Sequence, residues 1–287
     1  MRSKLFVPAS RPELFPKAES SQADALSFDL EDAVEESKKG VARSALASYL
    51  LQAKRNPSGK TLIVRVNPVD SAHFPSDLDA IAVDALDIIN IPKVESADDL
   101  RHVADLLQAT EAKRGLGRQI GILANIESPL GLHRASEIAA ADSRVVGLQI
   151  GYGDLFAPLG ITSGEPFATQ HVRVAVKLAA AMAGIAAYDG AYVDIANPDG
   201  YRRDAQAAYA LGYAGKSCIH PSQIVLANEV FRPTDQAIKH ALEVITAAEL
   251  EKDRGVGAFV VNGRLVDGPF IDEAYRLVER ARKLGLV

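Results

Sequence analysis

The sequence predicts an α/β protein, a (β/α)8 TIM barrel followed by a C-terminal helix–hairpin–helix lid extension. Two observations predict the barrel. Short β-branched, apolar runs alternate with helix-length segments through most of the chain, and eight such runs can be counted, which is the strand number of a closed barrel. Several runs, such as 61–66, are apolar almost throughout, as is typical of parallel strands buried on both faces. An open doubly wound sheet is the alternative, although no Gly-x-Gly-x-x-Gly motif follows the first run.

The predicted strands and helices follow one another in regular order. Strands are expected at residues 4–8, 25–29, 61–66, 87–91, 119–126, 145–150, 191–194 and 215–219. Helices are expected between them at residues 37–51, 97–114, 166–187 and 199–211. Ser96 is the expected N-cap of helix 97–114, because its hydroxyl can accept a hydrogen bond from the first helical turn. Gly212 is the expected glycine just beyond helix 199–211.

The last part of the chain predicts an appendage on the barrel. Helices are expected at residues 234–253 and 270–284, and Asn262-Gly263 separates two apolar runs between them, which is a strong hairpin signal. We therefore expect residues 1–230 to form the catalytic barrel. Residues 231–287 are expected to form a lid segment, which could pack on a neighbouring subunit.

Composition argues against several classes of function. Thirty-two lysines and arginines stand against 37 aspartates and glutamates among the 287 residues, so the net charge is −5 and no nucleic-acid or membrane partner is expected. The single cysteine, Cys218, allows no intrachain disulfide, and no cluster of cysteines and histidines predicts structural zinc. We expect a soluble protein of a reducing compartment, the cytoplasm in the first place.

Charged residues follow the second and third predicted strands, at the end of a barrel where catalytic groups lie. The second strand leads into Asp29, Glu31 and Asp32. This acidic cluster fits either a helix N-terminus or a site where a cation offsets the repulsion between carboxylates. Arg65 lies within an apolar strand and needs an anionic partner, which could be a structural carboxylate or the carboxylate of a substrate.

Two further carboxylates follow neighbouring strands. Glu127 comes after the fifth predicted strand, and Asp154 comes after the sixth. Because adjacent strands lie about 5 Å apart, both side chains can reach one cation. Two carboxylates completed by waters and substrate oxygens are typical of Mg²⁺ sites, so we expect a magnesium site here. An acid–base pair without a metal is the alternative.

The same residues lie in motifs that resemble the citrate lyase β-subunit-like (CoA-ester lyase) branch of the HpcH/HpaI aldolase family. The resemblance runs nearly end to end and keeps its order. Its motifs are Arg2-Ser3-x-Leu5-Phe6-Val7-Pro8, Phe28-Asp29-Leu30-Glu31-Asp32, Val64-Arg65-Val66-Asn67-Pro68, Pro92-Lys93-Val94-Glu95, Ile126-Glu127, Gly151-x-x-Asp154-Leu155 and Gly215-Lys216-x-x-Ile219-His220-Pro221.

The resemblance implies roles for individual residues. It implies that Glu127 and Asp154 hold Mg²⁺ and that Arg65 binds the oxo-acid part of the substrate. It further implies that Asp267, in Val266-Asp267-Gly268-Pro269, is an acid/base that acts in a neighbouring subunit's site, and that Arg2 contacts the substrate or CoA. With these roles assigned, Asp29, Glu31 and Asp32 are expected to order metal-bound water or to position Arg65.

The function predicted in this way is Mg²⁺-dependent cleavage or formation of the C–C bond of a malyl-CoA, citramalyl-CoA or citryl-CoA, which connects an oxo acid with a short acyl-CoA. The family also implies a homo-oligomer, a trimer or hexamer. Two alternatives use the same scaffold: a malyl-CoA-type thioesterase and an aldolase that acts on free 2-oxo acids. An acyl-carrier partner stays open. Tyr152 departs from the family pattern and could narrow the oxo-acid pocket.

Overall fold

A computed structural model describes residues 1–53, 59–252 and 254–287. Its contacts divide the chain into two compact units, Met1–Phe231 and Arg232–Val287. Each unit is built around its own apolar core, and the two are described in turn.

The first unit is a closed barrel of eight parallel strands. Each strand pairs with the next, and the last pairs with the first, so no edge is left open. The strands are β1 Ser3–Pro8, β2 Ala25–Asp29, β3 Thr61–Arg65, β4 Ile88–Ile91, β5 Gly121–Ile126, β6 Val145–Ile150, β7 Ala186–Asp189 and β8 Gly215–Cys218. The predicted fold class is confirmed, and seven predicted strands agree with the structure to within two residues at either end.

The predicted position of the seventh strand is wrong. It was expected at residues 191–194, whereas β7 spans Ala186–Asp189 and hydrogen-bonds to β6 and β8. The alanine-rich stretch before it favours a helix by propensity, so helix 166–187 was predicted five residues too long. The helix ends at Met182, and Gly184, at a φ of +69°, reverses the chain. Pairing between strands therefore overrides the local preference of Ala186 and Ala187.

In the described residues of the first unit, ten α-helices surround the barrel or lie in its loops. They are α1 Phe15–Glu19, α2 Lys39–Gln52, α3 Phe74–Ile81, α4 Ala97–Arg114, α5 Pro129–His133, α6 Ala135–Ala139, α7 Tyr152–Phe156, α8 Pro166–Met182, α9 Pro198–Ala210 and α10 Ser222–Val230. Helix α4 has the predicted bounds, and Ser96 and Asp99 form a capping box at its start. Helices α1, α3, α5, α6, α7 and α10 were not predicted from the sequence.

Two apolar regions stabilise the barrel. The larger lies between the strands and the helices. The smaller closes the interior of the barrel at the amino ends of the strands and is built from Ala25, Ile63, Ile88, Leu123 and Tyr188. Because this plug fills one end, a ligand can enter the barrel only from the carboxyl end.

The second unit is a helix, a hairpin and a helix. It consists of α11 Asp235–Lys252, β9 Phe259–Val261, β10 Arg264–Val266 and α12 Gly268–Lys283. Asn262 and Gly263 both have positive φ, 51° and 77°, as a two-residue type I′ turn requires. The predicted hairpin is confirmed. The last residue of the predicted helix 234–253 lies outside the described residues. None of the described helices is both long and apolar enough to span a membrane.

Candidate active site

The carboxyl ends of the barrel strands surround a cavity of about 960 Å³. Its walls include Asp29, Asp32, Arg65, Glu127 and Asp154. These residues are separated by up to 125 positions in the sequence, and the closed barrel brings them together because parallel strands all end on one face. The cavity therefore unites the acidic cluster, the arginine and the two metal candidates.

Arg65 is held in place by carboxylates of the acidic cluster. Its Nε and Nη2 donate to the two oxygens of Asp29, at 2.8 and 2.7 Å, and its Nη1 lies 2.9 Å from Glu31 Oε2. A guanidinium has five N–H groups, and the hydrogen bonds to Asp29 use two of them, so the others can still donate to a ligand in the cavity. The Arg65 guanidinium also lies over the Phe6 ring, 5.2 Å from its centroid.

The two buried carboxyl groups of the acidic cluster, those of Asp29 and Glu31, have pKa values shifted in opposite directions. Burial by itself would raise the pKa of Asp29, but hydrogen bonds from Arg65 and from the backbone of Glu31 and Ala33 outweigh it and hold the pKa below its usual range. Burial raises the pKa of Glu31 to about 7, even though Arg65 and Lys93 oppose that shift. Asp29 thus stays ionised, while Glu31 changes its charge near neutral pH.

Lys93 is a site residue to which the sequence analysis gave no role. Its Nζ lies 2.7 Å from Glu31 Oε1 and 3.8 Å from Asp154 Oδ1, and its backbone N–H donates to Glu127 Oε2 at 2.9 Å. Its φ of +52° is uncommon for a residue with a side chain. Two signals were available: Lys93 directly follows Pro92 at the end of β4, where charged side chains reach the cavity, and it belongs to the Pro92-Lys93-Val94-Glu95 motif of the family resemblance.

Glu127 is almost completely buried, at 4% exposure, and is oriented by two donors. Asn125 Nδ2 donates to its Oε1 at 2.9 Å, and the Lys93 N–H bonds its Oε2. Burial raises the pKa of this carboxyl, and the charge of Asp154 adds to the shift. Gly151 leaves room for it, since a Cβ there would lie 2.1 Å from Glu127 Oε1.

The residues present fit a magnesium ion. Within the described ranges no group of three or more His, Cys, Asp or Glu residues has metal-binding geometry. Mg²⁺ does not need one, because it keeps several waters and usually takes one or two carboxylates. Glu127 and Asp154 line the cavity together, and the pKa of Glu127 is raised in part by its neighbour's charge. A cation between the two would remove that repulsion.

The structure does not bring Arg2 to this cavity. Arg2 precedes β1 and so lies at the amino end of the barrel, opposite the site. Its guanidinium pairs with Asp24, with Nη2 to Oδ1 at 2.8 Å and Nε to Oδ2 at 3.0 Å. This position does not support the expected contact with substrate or CoA, and it gives Arg2 a structural role between the starts of β1 and β2.

Asp267 belongs to the second unit, where it immediately precedes α12. Its side chain makes no capping hydrogen bond, and its buried Oδ1 has no hydrogen-bond partner in the described residues. A buried carboxylate oxygen without a donor is costly, so its retention here favours a role beyond packing.

Tyr152 is fixed in the cavity wall by a buried charged network. Its hydroxyl donates to Asp189 Oδ1 at 2.8 Å, and Asp189 also pairs with Arg173 and Lys216. The ring therefore forms a rigid boundary of the cavity beside Asp154.

The raised pKa of Glu31 predicts a particular pH dependence of stability. Between pH 4.5 and about 7 the folded state binds more protons at this group than the unfolded state, so stability falls as pH rises through that window. We expect the free energy of unfolding of the wild type, relative to Glu31→Gln, to fall by on the order of 3 kcal/mol between these pH values. Urea unfolding of the wild type and of Glu31→Gln, in the presence of chelator and at a series of pH values, measures this difference. The difference in unfolding free energy between wild type and Glu13→Gln, which alters an exposed carboxylate paired with Arg11, should not fall in this window, because both proteins retain Glu31. Parallel curves for wild type and Glu31→Gln would contradict the assignment.

A closed parallel barrel with an arginine and acidic residues at the carboxyl ends of its strands has the arrangement of a barrel enzyme, whose catalytic groups lie at that end. Comparison with known proteins identifies the family. Residues 2–221 match the profile of the HpcH/HpaI aldolase/citrate lyase family. The citrate lyase subunit beta of Escherichia coli strain K12 is 37% identical over 292 residues, covering 99% of this chain and 94% of that protein.

Other relatives carry related activities in their names. An L-malyl-CoA/beta-methylmalyl-CoA lyase of Cereibacter sphaeroides is 35% identical over 305 residues, covering 99% of this chain and 95% of that protein. A crystal structure of CitE from Mycobacterium tuberculosis with magnesium, acetoacetate and coenzyme A has a TM-score of 0.78 and 33% identity, covering 98% of this chain and 100% of that one. The chain therefore belongs to the HpcH/HpaI aldolase/citrate lyase family and is a carbon–carbon lyase.

Proposed function

We propose that this protein is a Mg²⁺-dependent CoA-ester lyase. It cleaves or forms the C–C bond of a 3-hydroxyacyl-CoA with a carboxylate, such as malyl-CoA, citramalyl-CoA or citryl-CoA, and connects it with an oxo acid and a short acyl-CoA. The observation that carries the proposal is the position of Glu127 and Asp154 on adjacent strand ends, in one cavity with Arg65. The names of the relatives and the ligands of the related CitE structure support it.

Glu127 and Asp154 would hold the metal. When bound, Mg²⁺ supplies a Lewis acid that stabilises negative charge on substrate oxygens. Glu127 is prepared for this by the donors from Asn125 and Lys93, which fix its orientation. Asp154 is more accessible, with its side chain 43% exposed.

Arg65 binds the oxo-acid end of the substrate. Its N–H groups that are not bonded to Asp29 can donate to a carboxylate or to the oxygen on which charge develops. The hydrogen bonds to Asp29 and the ion pair with Glu31 keep the guanidinium from turning. Asp32, half exposed at the same mouth, orders water beside it.

Asp267 acts as the acid/base. In cleavage the substrate hydroxyl would release its proton to water as its oxygen becomes the carbonyl of the oxo acid. The electron pair of the broken bond stays on the α-carbon of the thioester, where a protonated Asp267 would supply a proton. In the direction of synthesis its carboxylate would remove the same proton.

An assay that follows two products tests the function. Purified protein is incubated with Mg²⁺ and each of malyl-CoA, citramalyl-CoA and citryl-CoA, and oxo acid and free thiol are measured together. Oxo acid without free thiol is the expected result. Free thiol with a hydroxy acid would indicate the thioesterase. Turnover of free hydroxy-oxo acids with no activity on CoA esters would indicate the aldolase.

We propose further that the enzyme works as a homo-oligomer, a trimer or hexamer, in the cytoplasm, and that Asp267 completes the site of a neighbouring subunit. Mixed oligomers of Asp267→Ala and Asp154→Asn chains should then regain up to about a quarter of wild-type activity, because a quarter of randomly formed sites combine an intact barrel with an intact lid. Each variant alone serves as the control. Absence of recovery in verified mixed oligomers would contradict action between subunits.

A further inference from the structure

A layer of polar side chains fills the middle of the barrel, between the apolar plug and the cavity. Every member is at most 3% exposed: Lys4, Ser27, Asn90, Asn125, Gln149 and Ser217. The strand register shows that the Lys4 side chain points into the barrel. Lys4 pairs with Ala25 of the plug on one side and with the cavity residue Ser217 on the other, and paired residues of parallel strands point to the same face. A polar layer inside a barrel is unusual where branched apolar side chains dominate, and it calls for a function.

Three members of this layer form a chain of hydrogen bonds that ends at Glu127. Lys4 Nζ donates to Asn90 Oδ1 at 3.5 Å, which is a long contact. Asn90 Nδ2 donates to Asn125 Oδ1 at 2.7 Å, and Asn125 Nδ2 donates to Glu127 Oε1 at 2.9 Å. The first contact joins β1 to β4, which are not neighbours, so it crosses the interior of the barrel.

The carboxylate of Glu127 sets the direction in which this chain of hydrogen bonds donates. An ionised Glu127 can only accept, so Asn125 must turn its NH2 toward it and its carbonyl oxygen toward Asn90. Asn90 then donates to Asn125 and turns its own oxygen toward Lys4. That oxygen requires a donor, and a lysine amine donates whether or not it is protonated. Of the polar layer's members, Lys4 is the one placed to complete the chain.

We propose that Lys4 is a positioning residue for the metal site, acting through Asn90 and Asn125 to hold Glu127 in the orientation that binds Mg²⁺. The Glu127 carboxylate and the Leu123 carbonyl oxygen, which accepts from Asn90 Nδ2 at 3.0 Å, select the flip of the two amides. The Lys4 amine supplies the donor that Asn90 Oδ1 needs in that flip, and it thereby holds the amides and the carboxylate in place. This inference rests on the proposed function, because it takes Glu127 as a metal ligand.

The electrostatics of Lys4 agree with this role. Burial lowers its pKa, and the charge of Glu127 opposes that shift, so the two groups interact across the interior. The Lys4 Nζ also lies 4.3 Å from the centroid of the Phe6 ring, which is the same ring over which the Arg65 guanidinium lies. A buried amine with so few partners stabilises the fold poorly, since an apolar side chain of similar volume serves packing as well.

Titration calorimetry with Mg²⁺ alone, on the full chain, tests the proposal. Lys4→Met keeps the volume and removes the donor, and we expect the Kd for Mg²⁺ to rise by about 10-fold or more, within the range seen for groups that orient metal ligands. Lys4→Arg keeps N–H donors, and its Kd should stay within about threefold of wild type. The Gln149 and Ser217 side-chain oxygens of the same layer, which have no hydrogen-bond partner among the described residues, are available as acceptors for its extra N–H groups. Ser27→Ala changes the same layer outside the chain of hydrogen bonds and is the matched control, with an unchanged Kd.

Two further measurements separate the possible outcomes. Glu127→Ala should eliminate Mg²⁺ binding; if it does not, the proposed metal site fails whatever Lys4 does. If Glu127→Ala does eliminate it and Lys4→Met binds Mg²⁺ as wild type does, the role of Lys4 is overturned. A structural role would lower the melting temperature of Lys4→Met and leave the Kd unchanged, which also overturns it. Should Lys4→Met not fold, Asn90→Leu interrupts the same chain and is compared with Lys4→Arg; equal Kd values would again overturn the proposal.

Discussion

Asp154→Asn should eliminate detectable Mg²⁺ binding and lower the rate of C–C cleavage by on the order of 10³-fold, with the barrel still folded. The amide keeps the shape of the side chain but loses the negative charge that a hard cation requires. The loss of transition-state charge stabilisation by a metal is worth several kcal/mol, and each 1.36 kcal/mol is tenfold in rate. Because the Asp154 side chain is 43% exposed and lies on the short helix α7, its replacement should change the melting temperature little.

The control for this experiment is Asp70→Asn. Asp70 is an exposed carboxylate of a neighbouring cavity that shares Glu127 and Asp154, so its loss changes the local charge equally without touching the proposed metal ligands. Calorimetry with Mg²⁺ and steady-state kinetics measure both variants. Normal turnover of Asp154→Asn, or full wild-type activity in the presence of excess chelator, would refute the metal assignment.

Arg65→Lys should lower kcat/KM by about 10²- to 10³-fold, the range found when one donor to a developing oxyanion is removed. A lysine has a single charged nitrogen, which cannot bond both oxygens of Asp29, approach Glu31 and still face a substrate. The buried Asp29 carboxylate would keep its backbone donors from Glu31 and Ala33 but lose a charge-assisted hydrogen bond from the guanidinium, so we also expect a loss of about 1.5–3 kcal/mol in the free energy of unfolding.

The variant Arg144→Lys separates the expected loss of kcat/KM from the expected loss of stability. Arg144 pairs with both oxygens of buried Glu111, at 2.7 Å each, and does not line the catalytic cavity. We expect the same substitution there to destabilise the fold by a similar amount and to leave kcat/KM near wild type. If Arg65→Lys and Arg144→Lys lost activity equally, or if neither did, the contact between Arg65 and the substrate would be refuted.

Where the sequence analysis succeeded, the determinants are local. Helix α4 has its predicted bounds because Ser96 and Asp99 satisfy its first N–H groups and Gly115, at a φ of +65°, terminates it. The hairpin of the second unit has its predicted turn because Asn262 and Gly263 tolerate positive φ. β7 was misplaced because its identity as a strand depends on hydrogen bonds to β6 and β8, which the alanine-rich segment itself does not encode.

The residues of the candidate site also fall into those that were predictable from the sequence and those whose position depends on the tertiary structure. Asp29, Arg65, Glu127 and Asp154 were predictable because a charge that directly follows an apolar strand has no reason to be there for packing. Lys93 was missed as a site residue, since its importance comes from its distances to Glu31 and Asp154 across the mouth of the barrel. Arg2 was assigned to the substrate from resemblance alone, whereas its place before β1 pairs it with Asp24 at the other end of the barrel.

The sequence by itself determined the alternation of strands and helices, the charged residues at strand ends and the family, because these depend on periodicity, on residue type and on order along the chain. Only the tertiary structure decided which charges meet. Closure of the barrel brings Lys93 within 2.7 Å of Glu31 and Arg65 within hydrogen-bonding distance of Asp29. It also brings together the hydrogen-bonded amides that connect Lys4 with Glu127. The physical reason is that hydrogen bonds and ion pairs act over a few ångströms, and distances of that size between residues far apart in sequence exist only once the chain has closed on itself.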